Sequence, residues 1–178
     1  MSAAVAPAYY SRSASLLHWV SVPAITGSVA CVLYAQQLPK GPDKGAWMYR
    51  HKSLGLLSGM VLVPRLAVKL GSKAPGMLAG SSAVEGVLAK VSHYALYAFP
   101  AVMASTGVVM GLNGAGLPFF TTTLKVPAVK GQLPAKQAFW LHQNFGYYMK
   151  FAIPLHVGAA GAHAARGHAI FARINPFR

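Results

Sequence analysis

The sequence predicts an all-α membrane protein, an up-and-down bundle of four transmembrane helices. Three observations predict it. Hydrophobic residues make up 54% of the chain and charged residues 10%, where a soluble domain carries about 25% charged. Mean hydropathy is +0.43. Four apolar stretches, approximately 15–38, 47–70, 84–112 and 138–165, each exceed the roughly 20 residues that cross a hydrocarbon core of about 30 Å. Strong breakers separate them: Pro39-Lys40-Gly41-Pro42, then Gly71 to Gly76 with Pro75, then a longer segment holding Gly114, Gly116, Pro118, Pro127 and Pro134. Because lipid offers no hydrogen bonds, every backbone amide has to be satisfied inside its own segment, so these spans read as helices and not strands.

The first span is too long for a signal core of roughly 7 to 15 residues and no cleavage site follows, so it is expected to stay in the protein. The leading Met1 to Ser13 is rich in Ser and Ala, contains Arg12 and lacks acids, a pattern compatible with organelle import. Bacterial and mitochondrial inner membranes both stay open. Residues 1–178 are expected to form one domain, since no stretch has the composition of a long linker. Lysine and arginine divide evenly between the two ends of the bundle, so charge bias gives no orientation. Only Asp43 and Glu85 oppose sixteen basic residues, for a formal charge of +14. With no basic helix or aromatic platform, nucleic acid is excluded as a partner; anionic lipid, haem propionates and acidic subunits fit the charge instead.

The seven histidines carry the chemistry, because ionisable residues in a membrane span are costly and face the bundle interior. Spans two and four run the same way in an up-and-down bundle, which puts His51 and His142, each near a start, at one depth. Span one runs oppositely and brings His18 level with His156. His156 follows His142 by fourteen residues, a rise of about 21 Å that returns to within about 40° of the same direction. Two stacked cofactors fit that step. His93 starts span three on the side of His18, and spacing does not separate the two as partners of His156. Two imidazoles on one haem iron leave no open position and favour electron transfer over oxygen binding. Without a C-x-x-C-H motif, and with Cys31 the single cysteine, such haems would be b-type and non-covalent.

Two further features agree. His51-x3-Gly55-x3-Gly59 and His142-x3-Gly146 set the smallest residue one turn from each candidate ligand, room for a flat macrocycle or, equally, ordinary helix packing. Arg65 follows His51 by fourteen residues, so it faces the interior beside His18 and His156, where a guanidinium can clamp a propionate. His163, seven residues past His156, points inward at the same end. With His93, it is a candidate contact for a quinone or a propionate.

These residues resemble the bacterial-type cytochrome b561 family, related to the di-haem cytochrome b subunits of formate dehydrogenases and hydrogenases. The similarity runs through Tyr10-Ser11-Arg12 before His18-Trp19, His51-x3-Gly55 with Arg65, Pro100-x6-Gly107, Leu141-His142, Leu155-His156 and His163, and the closing Arg173-Ile174-Asn175-Pro176. The resemblance implies two haem b groups, one held by His18 and His156 and one by His51 and His142, with Arg12, Arg65 and Gly55 around them. It also implies a quinone as electron partner and an amino terminus on the cytoplasmic or matrix side. Lys150, midway between the two span-four ligands, and Pro154, just before His156, depart from the family pattern.

The function expected is quinone-linked electron transfer, by a small oxidoreductase, with superoxide as one conceivable substrate, or by a carrier. The alternative is a haem-bearing subunit of a larger respiratory complex. No nucleotide or nucleophile motif is present, so the sequence leaves open whether the chain is itself an enzyme and what its donor and acceptor are.

Overall fold

The computed structural model describes residues 8–125 and 135–178. Four long helices dominate: α1 (Arg12–Gln37), α2 (Pro42–Gly71), α3 (Ala83–Met110) and α4 (Ala135–Ala165), with a short α5 (Ile170–Arg173) closing the chain. The helices α1, α2 and α3 begin before their apolar cores, because capping chemistry and not hydropathy sets the start. Ser11 caps α1 through its side chain, Pro42 opens α2, and Ser82 with Glu85 forms a reciprocal capping box on α3. Pro127, Pro134 and the start of the leading segment lie outside the described residues.

Side-chain contacts show that successive helices run antiparallel. Tyr34 meets Trp47 and Ser28 meets His51 between α1 and α2, while Arg65 lies over Tyr97 between α2 and α3. Phe99 meets Phe145 and His93 meets His156 between α3 and α4. Three helical segments, 12–37, 42–71 and 83–114, are long and apolar enough to cross a membrane. Although α4 is diluted by three histidines, Gln143, Asn144 and Lys150, it lies against α3 from His142, beside Gly107, to His156, beside His93.

The distribution of side chains is that of a protein in lipid. Large apolar groups such as Val63, Leu70, Tyr94 and Leu155 stand on the outside, whereas most buried positions are small, among them Ser15, Ser21, Ala24, Ser28, Ala35 and Ser53. Small residues let helix backbones approach when lipid removes the hydrophobic drive between them. Several buried hydroxyls bond back along their own helix, as Ser21 to the Leu17 carbonyl, Ser53 to Tyr49, Ser58 to Leu54 and Thr106 to Val102. No polar hydrogen of theirs is left facing hydrocarbon.

Each long helix contains one internal proline, Pro23, Pro64, Pro100 and Pro154. Pro154, which departs from the family pattern just before His156, does not end the helix, since α4 continues through it to Ala165. The segment expected as a broken loop is more ordered. A π-helical turn, Gly111–Ala115, leads into an antiparallel hairpin of β1 (Leu117–Phe119) and β2 (Thr122–Leu124). The hairpin is tied to α2 by the Tyr49 hydroxyl donating to the Thr122 carbonyl (2.6 Å) and the Phe120 amide donating to Ser53 Oγ (3.1 Å). At the opposite end the tail folds back onto α1. The Tyr10 amide donates to the Arg173 carbonyl, Trp19 Nε1 to the Ile174 carbonyl, and Arg12 Nε to the Arg178 main-chain oxygen.

Candidate functional site

Two imidazole pairs stand at opposite ends of the bundle interior. His51 on α2 and His142 on α4 have ring centroids 6.0 Å apart, and His18 on α1 and His156 on α4 have theirs 6.4 Å apart. Two imidazoles bound to one metal through nitrogen bonds of about 2 Å put their centroids about 6 Å apart. Both pairs therefore fit a shared iron. His93 joins the second pair, 5.6 Å from His156, so this end holds three imidazoles and distance alone does not choose between His18 and His93.

The first pair has its protons arranged for ligation. His51 Nδ1 lies 2.9 Å from the Ser28 carbonyl, which can only accept, so Nδ1 carries the hydrogen and Nε2 keeps its lone pair. Ser28 Oγ in turn donates to the His51 carbonyl at 3.0 Å, locking α1 to α2 at this level. Across the bundle, Thr106 Oγ1 spends its proton on the Val102 carbonyl (2.5 Å), leaving a lone pair for the Nδ1–H of His142 at 2.9 Å. Such a partner on the far nitrogen fixes the tautomer and orientation of a metal-binding histidine. A Cβ at Gly107 would stand 3.7 Å from His142 Cε1, an ordinary van der Waals contact, so Gly107 lies directly against the ring.

The second end is cationic. Arg65 Nη2 lies 3.1 Å from His18 Nδ1, and its guanidinium sits over the Tyr97 ring at 5.0 Å. This contact requires Nδ1 of His18 to accept, which puts the proton on Nε2. Coordination through Nε2 puts it on Nδ1 instead, so Arg65 must then turn away to another acceptor. Arg65 and Lys69 line a small cavity of about 30 Å³ together with Tyr10, Ser72 and Tyr97. Burial pushes the Tyr10 phenol up, with Arg173 opposing, so it remains a neutral hydrogen-bond donor. The cavity thus combines two cations, two phenols and a hydroxyl, a composition suited to a carboxylate. Ser15, one turn before His18, is 1% exposed with no partner for its hydroxyl among the described residues.

Other expected site residues are placed differently. Gly55 faces Ser28 Oγ, and Gly59 is pressed against Ala104, whose Cβ an added Cβ would meet at 2.8 Å. Gly59 marks a close helix approach, while Gly55 lies in ordinary contact with the Ser28 hydroxyl that also meets His51. Arg12 belongs to the tail contact rather than to the histidine cluster. His163 turns to His168, Nδ1 to Nδ1 at 3.0 Å with stacked rings, near the Arg166–Glu85 ion pair (2.6 Å). Ser28, Thr106, Tyr97 and His168 were not singled out from the sequence. Ser28 and Thr106 carry no motif of their own, and only the rotation of α1 and α3 against their neighbours brings them to the ligand rings.

Large apolar side chains outside, small residues inside and two imidazole pairs in the interior describe a membrane protein equipped to hold a metal cofactor. A comparison with curated proteins finds no match. The model of the family described as Prokaryotic cytochrome b561 matches residues 9–176, almost the whole chain. The described helices and that family agree on an integral membrane protein, and a prokaryotic family points to the bacterial inner membrane. The chain therefore belongs to the prokaryotic cytochrome b561 family, whose members are haem b-containing membrane proteins of electron transfer.

Proposed function

We propose that this chain is a di-haem carrier, one domain of four helices, that exchanges electrons with quinone at its His18 end. The carrying observation is the pair of imidazole couples at 6.0 and 6.4 Å, one toward each end of the bundle. His51 and His142 would hold one haem, His18 and His156 the other. When bound, haem would supply a one-electron iron couple, and these histidines would hold it. The Ser28 carbonyl and Thr106 hydroxyl keep the Nδ1 protons of His51 and His142 in place, so Nε2 is the nitrogen left to ligate. The choice of His18 over His93 rests on the His18-Trp19 motif. Arg65, released from His18 by ligation, would reach a propionate together with Lys69.

Support for quinone at this end comes from an apolar groove of about 850 Å³ that runs past Leu16, Trp19 and Val20 to Leu54, with Phe177 at its edge. Trp19 itself is 5.5 Å from His18, ring to ring. A groove of this size suits an isoprenoid chain. His93 and His163, which do not line that groove, are the candidate proton and hydrogen-bond donors at this end.

The test is haem per polypeptide after acid-acetone extraction, with two expected. One haem or none in a well-folded preparation overturns the di-haem reading. For the quinone, His163→Ala should slow reduction by a water-insoluble quinol analogue while both haems stay reducible by dithionite. Unchanged quinol kinetics would remove His163 from the site.

A further inference from the structure

We propose that Lys150 is a mid-depth counter-charge that raises the reduction potentials of both haems at once, an inference that rests on the di-haem reading above. Lys150 is the middle residue of the 31-residue α4. It lies eight residues after His142 and six before His156, offsets of about 12 Å and about 9 Å along the axis. Phe99 of α3 meets Phe145 of α4, and His93 meets His156; Lys150 falls between these levels, near mid-depth in the bundle. The core face is then about 15 Å away in either direction, farther than a four-carbon stem reaches, so the ammonium cannot escape to the headgroups.

Two rings of α4 itself, Tyr147 and Phe151, each more than half exposed, flank this charge. Nζ lies 4.2 Å from the Tyr147 ring centroid and 5.0 Å from that of Phe151, and the residue is half-buried. Two aromatic faces stabilise a cation without neutralising it. The chain's acids are only Asp43, at the start of α2, and Glu85, which is paired with Arg166 at the start of α3. Both stand at helix starts, far in depth from Lys150. The charge therefore stays uncompensated by this chain, and a membrane interior screens it weakly.

Reduction adds one negative charge at each iron, and a fixed positive charge nearby favours that form. For a separation of about 12 Å at an effective dielectric constant of about 20, the attraction is worth about tenfold in the reduction equilibrium. Tenfold corresponds to about 59 mV for a one-electron couple. Because Lys150 lies between the ligand levels, it acts on both irons, holding their potentials together. It touches neither haem ligand and is a positioning charge rather than a catalytic residue.

The experiment is a potentiometric titration of the purified, haem-loaded protein with the visible spectrum as readout, haem content being measured first. Lys150→Met and Lys150→Gln should each lower both midpoints by about 59 mV. Lys150→Arg should leave them near wild type. The shift should persist at high salt, unlike that of a surface lysine. Two haems bound with either midpoint unmoved in both neutral variants overturns the proposal, and so does a shift in Lys150→Arg equal to that in Lys150→Met. A wild-type content of one haem instead overturns the di-haem reading, and the action on two irons falls with it.

Discussion

At the residue scale, the most informative atoms are the second nitrogens of the histidines. A bond from Nδ1 to a carbonyl or hydroxyl selects which nitrogen is free, and the His51/His142 end has both bonds made. Thr106→Val keeps the shape and loses the acceptor. Removing such a partner typically costs about 10- to 100-fold in metal affinity, so this variant should lose one haem faster to a haem-scavenging protein while the other is retained. Equal loss rates from both sites, or none, would show that the hydroxyl does not hold His142. The ligands themselves give a sharper contrast. His142→Ala should abolish the haem shared with His51 and leave the His18/His156 haem spectrally intact, the two levels being about 21 Å apart along α4. His93→Ala should keep both, and if it removes a haem while His18→Ala does not, the axial assignment at that end is His93.

At the scale of elements, the helices are held by small residues meeting at fixed depths. Gly59 on α2 touches Ala104 on α3, and the Cβ added by Gly59→Ala would stand 2.8 Å from the Ala104 Cβ, closer than backbone-anchored atoms tolerate. Overpacking of this kind costs about 1–3 kcal/mol. Gly59→Ala should accordingly lower the thermal midpoint in detergent, and adding Ala104→Gly should restore most of it. A single variant as stable as wild type would mean that α2 and α3 separate easily. Helix ends were legible in sequence because proline and glycine break helices locally, whereas the starts of α1 and α2 lie three and five residues before the apolar spans, where Ser11 and Pro42 set them. The hairpin Leu117–Leu124 was not read, although its Phe-Phe-Thr-Thr-Thr run favours extended structure. Proline and glycine on either side masked it, and it forms because Tyr49 and Ser53 of α2 supply partners.

At the scale of the whole molecule, the two ends of the bundle are unlike. The hairpin covers the His51/His142 end, while the tail, wound back under α1, forms part of the groove beside Trp19. Trp19 Nε1 donates to the Ile174 carbonyl at 2.9 Å. Trp19→Phe should retain the ring packing and lose this bond, worth about 0.5–1.5 kcal/mol. The expected result is faster proteolysis at the tail with both haems still bound; a tail no more accessible than in wild type would show that the arginine contacts alone hold it.

By itself the sequence determined the four spans, their up-and-down order, the fourteen-residue step of His142 and His156, and the level of Arg65 beside His18. All of these follow from one helix at a time, where 3.6 residues per turn and 1.5 Å per residue convert spacing into direction and depth. Only the tertiary structure decided which residues meet those side chains: Ser28 and Thr106 behind the ligands, His168 against His163, Arg12 in the tail. Those meetings depend on the rotation and register of one helix against another. Contacts as small as Gly59 on Ala104 and Gly55 on Ser28 set both, and they leave no periodic trace in the chain.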